Sequence, residues 1–167
     1  SVAMQKDVAK IVLKAAGVPV VPWVTVTERD LARDRDLWAR RIRSLGLPAF
    51  VKPARAGSSV GVSKVSEWSE LDAALATAFA EDRTVLVEQA VVGREVECGV
   101  LAGRDGDAAR VSIAGEIVIT DREFYDFDAK YLDAPGIELV CPAELREGEL
   151  AEMQRIAVRA FEAVGGE

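Results

Sequence analysis

The chain has 167 residues, half of them hydrophobic, which is enough to form a core in one domain or in two small ones. Its formal net charge of −7 argues against nucleic acid or an anionic membrane surface as the partner. The absence of histidine excludes a Ser-His-Asp triad and any histidine-ligated metal within these residues. The chemistry must therefore depend on lysines, carboxylates, hydroxyls and backbone dipoles, a set that suits phosphoryl or acyl-phosphate transfer.

Hydrophobic periodicity predicts helices and strands along the whole chain. A helix over residues 2–16 precedes a strand over 20–27, and Thr27 with Asp30 forms a capping pattern for a helix that runs to about Leu45. The further predicted elements are a strand that ends at Pro53, a strand from Val60 to Val65, a helix over 66–80, strands over 84–89 and 95–101, a hairpin of 110–113 with 116–119, a charged aromatic segment over 124–132, a strand over 137–141 and a helix over 147–164.

This order of elements indicates an α+β fold, with helices on one side of antiparallel sheets. A change of composition near residues 89–93 predicts a domain boundary, so residues 1–89 and 90–167 would form two subdomains. The cysteines Cys98 and Cys141 lie far apart and form no CxxC pattern. We interpret them as buried thiols in a reducing compartment, with a disulfide as the alternative.

The stretch from Ala49 to Val65 carries the strongest chemical signal. A short strand delivers Lys52, a proline stops the strand, and a glycine-containing loop with Ser58 and Ser59 follows. Glycine lets the backbone approach an anion closely, N–H and hydroxyl groups donate to the anion, and lysine supplies positive charge. The pattern suits a phosphate site, and a plain hairpin with a Gly-Ser turn and a surface lysine explains the same residues equally well.

Two carboxylates and one aromatic segment add to this signal. Glu88 ends a hydrophobic strand, and Glu95 follows across a glycine turn. Backbone groups at 89–91 could pair with a purine edge and Glu95 could accept from ribose hydroxyls, but two ordinary strand-end carboxylates are the simpler alternative. Residues 124–131, FYDFDAKY, place aromatics, carboxylates and a lysine in a predicted loop, which favours a functional loop.

Together these stretches resemble the D-alanine–D-alanine ligases of the ATP-grasp superfamily, in which two α+β subdomains clamp ATP. The resemblance implies an incomplete ATP-grasp fold, because the family's N-terminal domain would precede Ser1 and its magnesium ligands would follow Val164. The matching stretches, in collinear order over essentially the whole chain, are MQK (4–6), GVPVVPW (17–23), FVKPARAGSSVGVSKV (50–65), VLVEQ (85–89), GREVECGV (93–100), FYDFDAKY (124–131) and CPA (141–143).

The resemblance implies which residues bind ATP. The phosphate contacts would be charged or hydroxyl-bearing side chains, and the adenosine contacts would be strand-end and aromatic groups. They are Lys6, Lys52 and Lys130 on the phosphates, Ser58 and Ser59 on a flap above them, Glu88 with the backbone of Gln89, Ala90 and Val91 on adenine, Phe124 packed against adenine, and Glu95 on the ribose.

Three residues would have catalytic roles by the same resemblance. Ser58 would hydrogen-bond Tyr131 and order the amino acid site, and Lys130 would offset the charge of the γ-phosphate as it transfers. Tyr131 favours a dipeptide product over a depsipeptide. Ala90 departs from the pattern, because relatives often carry a larger side chain there.

The implied reaction joins two D-alanines for peptidoglycan precursor synthesis, and so serves cell wall biogenesis and cell shape in the bacterial cytoplasm. ATP and Mg²⁺ would be the cofactors, the full-length protein would be a homodimer, and these 167 residues alone are expected to be inactive. Two alternatives stay open: another ATP-grasp ligase that joins a carboxylate to an amine, and a nucleotide-binding module without catalysis.

Overall fold

The computed structural model describes residues 2–119 and 136–166, which form helices and antiparallel sheets as the predicted α+β class requires. A 3-10 turn at Val2–Met4 precedes the first helix, and another at Trp68–Glu70 precedes the fourth. The helices are α1 Lys6–Ala15, α2 Glu28–Arg33, α3 Arg35–Arg43, α4 Leu71–Glu81 and α5 Glu149–Ala163. The strands are β1 Trp23–Thr27, β2 Ala49–Pro53, β3 Ser63–Val65, β4 Thr84–Gln89, β5 Glu95–Glu97, β6 Val100–Leu101, β7 Arg110–Val111, β8 Gly115–Ile119 and β9 Ile137–Val140.

The largest sheet of the described residues has the order β1-β4-β2-β3, and all of its neighbouring strands are antiparallel. In its register, Glu88 of β4 lies opposite Trp23 on one side and Phe50 on the other. Paired residues of antiparallel strands share a face, and successive residues alternate between faces. Glu88 and Phe50 therefore share a face with Lys52, while Val51 and Val87 point to the opposite face.

The face with Val51 and Val87 forms the hydrophobic core. Both valines are fully buried, and α4 packs on this face against β2, β3 and β4. Helix α3 adds Ile42, which is also fully buried. Because the core occupies this face, the polar side chains of β2 and β4 are left on the other one.

The second part of the chain forms smaller sheets. Strands β5, β8 and β9 form one sheet in that order, and β6 pairs with β7. The four-stranded sheet lies wholly within residues 23–89, and the others lie within 95–140. This division supports a boundary near residues 89–93, which stays a prediction. None of the described helices is long and apolar enough to cross a membrane.

The helix predicted from Thr27 to about Leu45 is two helices. The predicted capping pattern is present: Thr27 Oγ1 accepts from the N–H of Asp30 at 3.2 Å, and Asp30 Oδ2 accepts from the N–H of Thr27 at 3.0 Å. At Asp34 the backbone leaves the helical region, with φ −157°, and its carboxylate accepts from the N–H of Leu37 at 2.9 Å. Asp34 thus ends α2 and caps α3.

The predicted hairpin of 110–113 with 116–119 is wrong. Strand β7 pairs with β6, whereas β8 lies between β5 and β9. The reason lies at Ser112, whose N–H donates to Gly99 O at 2.9 Å and whose Oγ accepts from the N–H of Gly99 at 2.9 Å. These two bonds join the chain at 112 to 99, where the predicted strand over 95–101 is also interrupted.

Two smaller expectations also change. The strand predicted from Val60 begins only at Ser63, because the preceding turn has a left-handed backbone. Both cysteines are free, which excludes the disulfide. Cys98 is partly buried, and this burial raises the pKa of its thiol, but Cys141 is exposed, so it is not a buried thiol as expected.

Candidate functional site

A cavity of about 520 Å³ lies beside the end of β2 and the loop that follows it. Its size falls in the range of small-molecule sites. Of the described residues that line it, three carry a positive charge and one a negative charge. The chemically relevant ones are Lys6, Lys52, Arg55, Ser58, Ser59 and Glu95. A local excess of positive charge in a chain whose net charge is −7 favours an anionic ligand.

Lys6 joins the start of α1 to this loop. Its backbone N–H donates to Ala54 O at 2.9 Å. Its Nζ donates to Pro53 O at 3.0 Å and to Ala56 O. An ammonium group is a compact charge with three donors, and these bonds hold it at the wall of the cavity.

The loop turns sharply at the two predicted flap serines. Ser58 has φ 51° and Ser59 has φ 61°, and Gly61 follows with φ 68°. The turn is closed by the N–H of Val60, which donates to Gly57 O at 3.0 Å. Left-handed backbone costs a non-glycine residue about 1–2 kcal/mol, and such strain is often concentrated at functional sites. In this loop the left-handed backbone places Ser58 and Ser59 at the wall of the first cavity.

The carboxylate of Glu88 lies between two lysines. Its Oε2 is 2.6 Å from Lys52 Nζ, and its Oε1 is 3.1 Å from Lys10 Nζ. Burial acts to raise the pKa of Glu88, which is 7% exposed, but the charges and hydrogen bonds of Lys52 and Lys10 outweigh burial. The pKa therefore lies below its ordinary value, and the carboxylate is ionised near neutral pH.

A second cavity of about 430 Å³ adjoins the first and is lined by residues 90–95 and 116–119. Phe50 and Glu95 line both cavities. The N–H of Gln89 donates to Pro22 O at 3.1 Å, and the N–H of Ala90 donates to Pro48 O at 3.0 Å. These two amides are thus engaged within the protein, which leaves the carbonyls and the N–H of Val91 as groups that could contact a ligand.

The structure brings most of the predicted site residues to these two cavities. Lys6, Lys52, Ser58, Ser59 and Glu95 line the first, and Ala90, Val91 and Glu95 line the second. Glu88 lies behind Lys52, and Gln89 lies at the end of β4; neither residue lines these two cavities. Phe124, Lys130 and Tyr131 lie outside the described residues.

Sequence reasoning missed two charged residues at the site. Arg55 lines the first cavity, and its position in the Gly-Ser loop was a sufficient signal. Lys10 reaches Glu88 from α1. Lys10 follows Lys6 by one helical turn, and this i, i+4 spacing places both on one face of the helix. That spacing could have identified Lys10.

A metal ion in a protein is held by a cluster of acidic, thiol or imidazole side chains. No group of three acidic or thiol side chains among the described residues could hold one. Magnesium binding therefore remains an expectation from the resemblance.

Known proteins similar to this chain are D-alanine ligases. A D-alanine–D-alanine ligase of Kineococcus radiotolerans is 47% identical over 98% of this chain and 44% of its own length. D-alanine–D-alanine ligase A of Chromobacterium violaceum is 49% identical over 98% of this chain and 43% of its own length. The chain thus spans less than half the length of these relatives.

Solved structures that resemble this chain are also D-alanine ligases. VanG, a D-Ala:D-Ser ligase from Enterococcus faecalis, superposes with a TM-score of 0.79 at 34% identity, over 98% of this chain and 46% of that protein. The D-alanine–D-alanine ligase of Coxiella burnetii gives 0.76 at 32% identity, over 98% and 40%. The expected ATP-grasp fold, present here in part, is thereby confirmed. The family model described as "D-ala D-ala ligase C-terminus" matches residues 12–167, and the chain belongs to this family.

Proposed function

We propose that this chain is the ATP-binding part of a D-alanine–D-alanine ligase, which joins two D-alanines through an acyl phosphate in the synthesis of peptidoglycan precursors. The observation that carries the proposal is the pair of adjoining cavities that share Phe50 and Glu95. The first cavity carries a net positive charge from Lys6, Lys52 and Arg55. In the second cavity the charges of Lys64 and Arg94 are balanced by Glu95 and Glu116, and apolar side chains with strand-end backbone form the rest of its wall. This division matches a nucleotide, which has a polyanionic end and a flat apolar base.

The phosphates would lie in the first cavity. Lys6, Lys52 and Arg55 supply three positive charges there, and Ser58 and Ser59 supply hydroxyl and backbone donors. Phosphoryl transfer depends mainly on positioning and on neutralising charge, and lysines and backbone donors can provide both. The carboxylate of the first D-alanine would attack the γ-phosphorus of ATP, which forms an acyl phosphate and releases ADP. The neutral amino group of the second D-alanine would then attack the acyl carbon, lose a proton and release phosphate.

The adenosine would lie across the junction of the cavities. Glu95 lines both of them and could accept from the ribose hydroxyls. The backbone of residues 89–91 would contact the adenine edge through carbonyls and the N–H of Val91, since the amides of Gln89 and Ala90 are already bonded. Ala90 is small, so the wall of this pocket is expected to be looser than in relatives.

The segment 124–131 would complete the site. We propose that Phe124 packs on adenine, that Lys130 binds the γ-phosphate and that Tyr131 hydrogen-bonds Ser58. Covering the site would protect the acyl phosphate from water, which would otherwise hydrolyse it. Magnesium dependence, a homodimer and a place in the bacterial cytoplasm are further proposals that follow from the family.

The test is phosphate release from ATP by the full-length protein that contains these residues, with and without D-alanine. We expect release to require D-alanine, and Lys52→Met to raise KM for ATP about tenfold or more, since a charged hydrogen bond is lost. Arg35→Met is the matched control, because Arg35 forms an exposed pair with Asp72 at 2.6 Å outside both cavities. Release that ignores D-alanine would instead favour another ATP-grasp ligase or a non-catalytic module.

The same assay can define the second substrate. VanG accepts D-serine by its name, so D-serine and D-lactate are offered beside D-alanine. Tyr131 predicts that an amine is preferred to the hydroxyl of D-lactate. We expect Lys130→Ala to abolish phosphate release and Tyr131→Phe to weaken the use of D-alanine more than the use of ATP. Full activity of Lys130→Ala would remove that lysine from the proposed mechanism.

A further inference from the structure

The carboxylate of Glu88 has two ammonium partners, although one positive charge would balance it. Lys52 Nζ lies 2.6 Å from its Oε2, and Lys10 Nζ lies 3.1 Å from its Oε1. Two cations on one carboxylate repel each other and leave a surplus positive charge. Because of this surplus, one of the two cations can pair with an anionic ligand while the other continues to neutralise Glu88.

The two lysines differ in how firmly they are held. The side chain of Lys10 is 12% exposed, its Nζ also donates to Val21 O at 3.3 Å, and it lies 5.3 Å from the centre of the Trp23 ring. The side chain of Lys52 also lies beside a ring, 5.4 Å from the centre of Phe50, but it is 28% exposed and lines the first cavity together with that ring. Within the described part of the chain it has no bond to a backbone carbonyl of the kind that Lys10 has. Lys10 is therefore the fixed partner of Glu88, and Lys52 is the one that can turn towards a ligand.

A phosphate in the first cavity would compete with Glu88 for Lys52. When Lys52 contacts a phosphate oxygen, Glu88 loses its shorter ion pair. A buried carboxylate without a cation is strongly unfavourable, and that cost would be subtracted from the affinity for the nucleotide. Lys10 removes this cost, because it remains on the other carboxylate oxygen.

We propose that Lys10 is a positioning residue for nucleotide binding, which holds and neutralises Glu88 so that Lys52 can turn from Glu88 to the phosphates. This inference rests on the proposed function in one respect, that the ligand of the first cavity carries phosphates. Lys10 does not line that cavity, so its effect passes through Glu88 and Lys52.

The test compares the binding of ATP and of adenosine to the full-length protein, by displacement of a fluorescent ATP analogue. Lys10→Met is expected to weaken ATP binding about tenfold, as the loss of a charged hydrogen bond implies. Adenosine has no phosphate to draw Lys52 away, so its affinity is expected to change less than about twofold. Lys10→Arg keeps the charge and is expected to retain most of the affinity for ATP.

Lys14→Met is the matched control. Lys14 lies one turn further along α1, is exposed, and stands 5.6 Å from the same Trp23 ring, but among the described residues it forms no ion pair with Glu88. Lys14→Met also removes a lysine side chain that lies beside the Trp23 ring, but it leaves both ion pairs of Glu88 intact. We expect it to leave the affinities for ATP and adenosine unchanged.

A comparison within the Glu88→Gln background covers the case in which Lys10→Met alone fails to fold. In a Glu88→Gln background the carboxylate charge is gone, so adding Lys10→Met should change ATP affinity little. The inference is overturned if Lys10→Met binds ATP within twofold of wild type, if ATP and adenosine lose affinity equally, or if the loss persists in the Glu88→Gln background.

The two proposals fail in different ways. Normal D-alanine-dependent phosphate release with no effect of Lys10→Met on ATP affinity would overturn the inference alone. Binding of ATP without D-alanine-dependent release would overturn the proposed ligase, while the variants still decide the role of Lys10. A wild-type protein that does not bind ATP would overturn both.

Discussion

Gly61 controls the turn that places Ser58 and Ser59 on the cavity, and its replacement gives a quantitative test of that turn. Gly61 has φ +68°, a conformation that side chains rarely adopt. A Cβ atom there would lie 2.8 Å from Glu81 Cγ and 3.2 Å from Pro53 Cγ. Gly61→Ala therefore combines a backbone cost with a steric cost.

The two costs can be estimated separately. Left-handed backbone costs an alanine about 1–2 kcal/mol. Crowding of a packed site typically costs about 1–3 kcal/mol. Glu81 is exposed and can rotate away, whereas the ring of Pro53 is fully buried and cannot, so the steric cost should fall in the lower half of that range. The free energy of unfolding should therefore fall by about 2–4 kcal/mol in total.

Two other glycines separate these contributions in urea denaturation experiments. Gly46 has φ +79° but nothing within 4 Å of a Cβ, so Gly46→Ala should show the backbone cost alone, about 1–2 kcal/mol. Gly57 has neither a left-handed φ nor a neighbour within 4 Å, so Gly57→Ala should stay within about 0.5 kcal/mol of wild type.

The relative losses of unfolding free energy in the three variants test the two estimated costs. Equal losses for Gly46→Ala and Gly61→Ala would show that the contacts with Glu81 and Pro53 carry no cost. A loss for Gly57→Ala as large as that for Gly61→Ala would refute the conformational argument for this turn altogether.

Two further predictions concern ion pairs. Glu88→Gln should lower the free energy of unfolding by about 1.5–3 kcal/mol near pH 7. The pKa of Glu88 is lowered in the folded state, so this stabilisation is present above the ordinary pKa of 4.5 and should disappear as the pH falls through the lowered pKa. A difference in unfolding free energy between wild type and Glu88→Gln that stays constant in urea titrations from pH 7 to pH 3 would contradict this. Arg94→Met removes exposed hydrogen bonds to Glu116 at 2.6 and 2.7 Å, so it should destabilise the fold less than Glu88→Gln does. Salt screens exposed charges, so this loss of stability should be smaller still in 1 M salt.

Local signals in the sequence were sufficient for the elements next to the site. The strand predicted over 84–89 is observed with the same bounds, and the strand with Lys52 ends at Pro53 as expected. Proline and alternating apolar residues specify such features within a few residues of chain. The collection of Lys6, Lys52 and Glu95 around one cavity followed from family resemblance, since no local rule connects residues so far apart.

Features that depend on distant partners were not predictable in the same way. The split of the long helix is a different case, because it follows from a local cap: the carboxylate of Asp34 accepts from the N–H of Leu37, and hydrophobic periodicity does not report this competition with a continuous helix. Strand β8 pairs with β5 and β9 and not with β7, the strand that precedes it, a choice made by non-local packing. The left-handed Ser58 and Ser59 contradict intrinsic preference, as is expected at a strained functional turn.

The register of the sheet connects the core to the site. Val51 and Val87 are paired and fully buried on the core face, and this pairing alone puts Lys52 and Glu88 together on the opposite face. A slip of β2 by one residue would turn Lys52 into the apolar layer under α4, where an unpaired ammonium is strongly unfavourable. The apolar residues of the core face thus fix the positions of Lys52 and Glu88. The ion pair between them, at 2.6 Å, depends on core packing as much as on the attraction of the two charges.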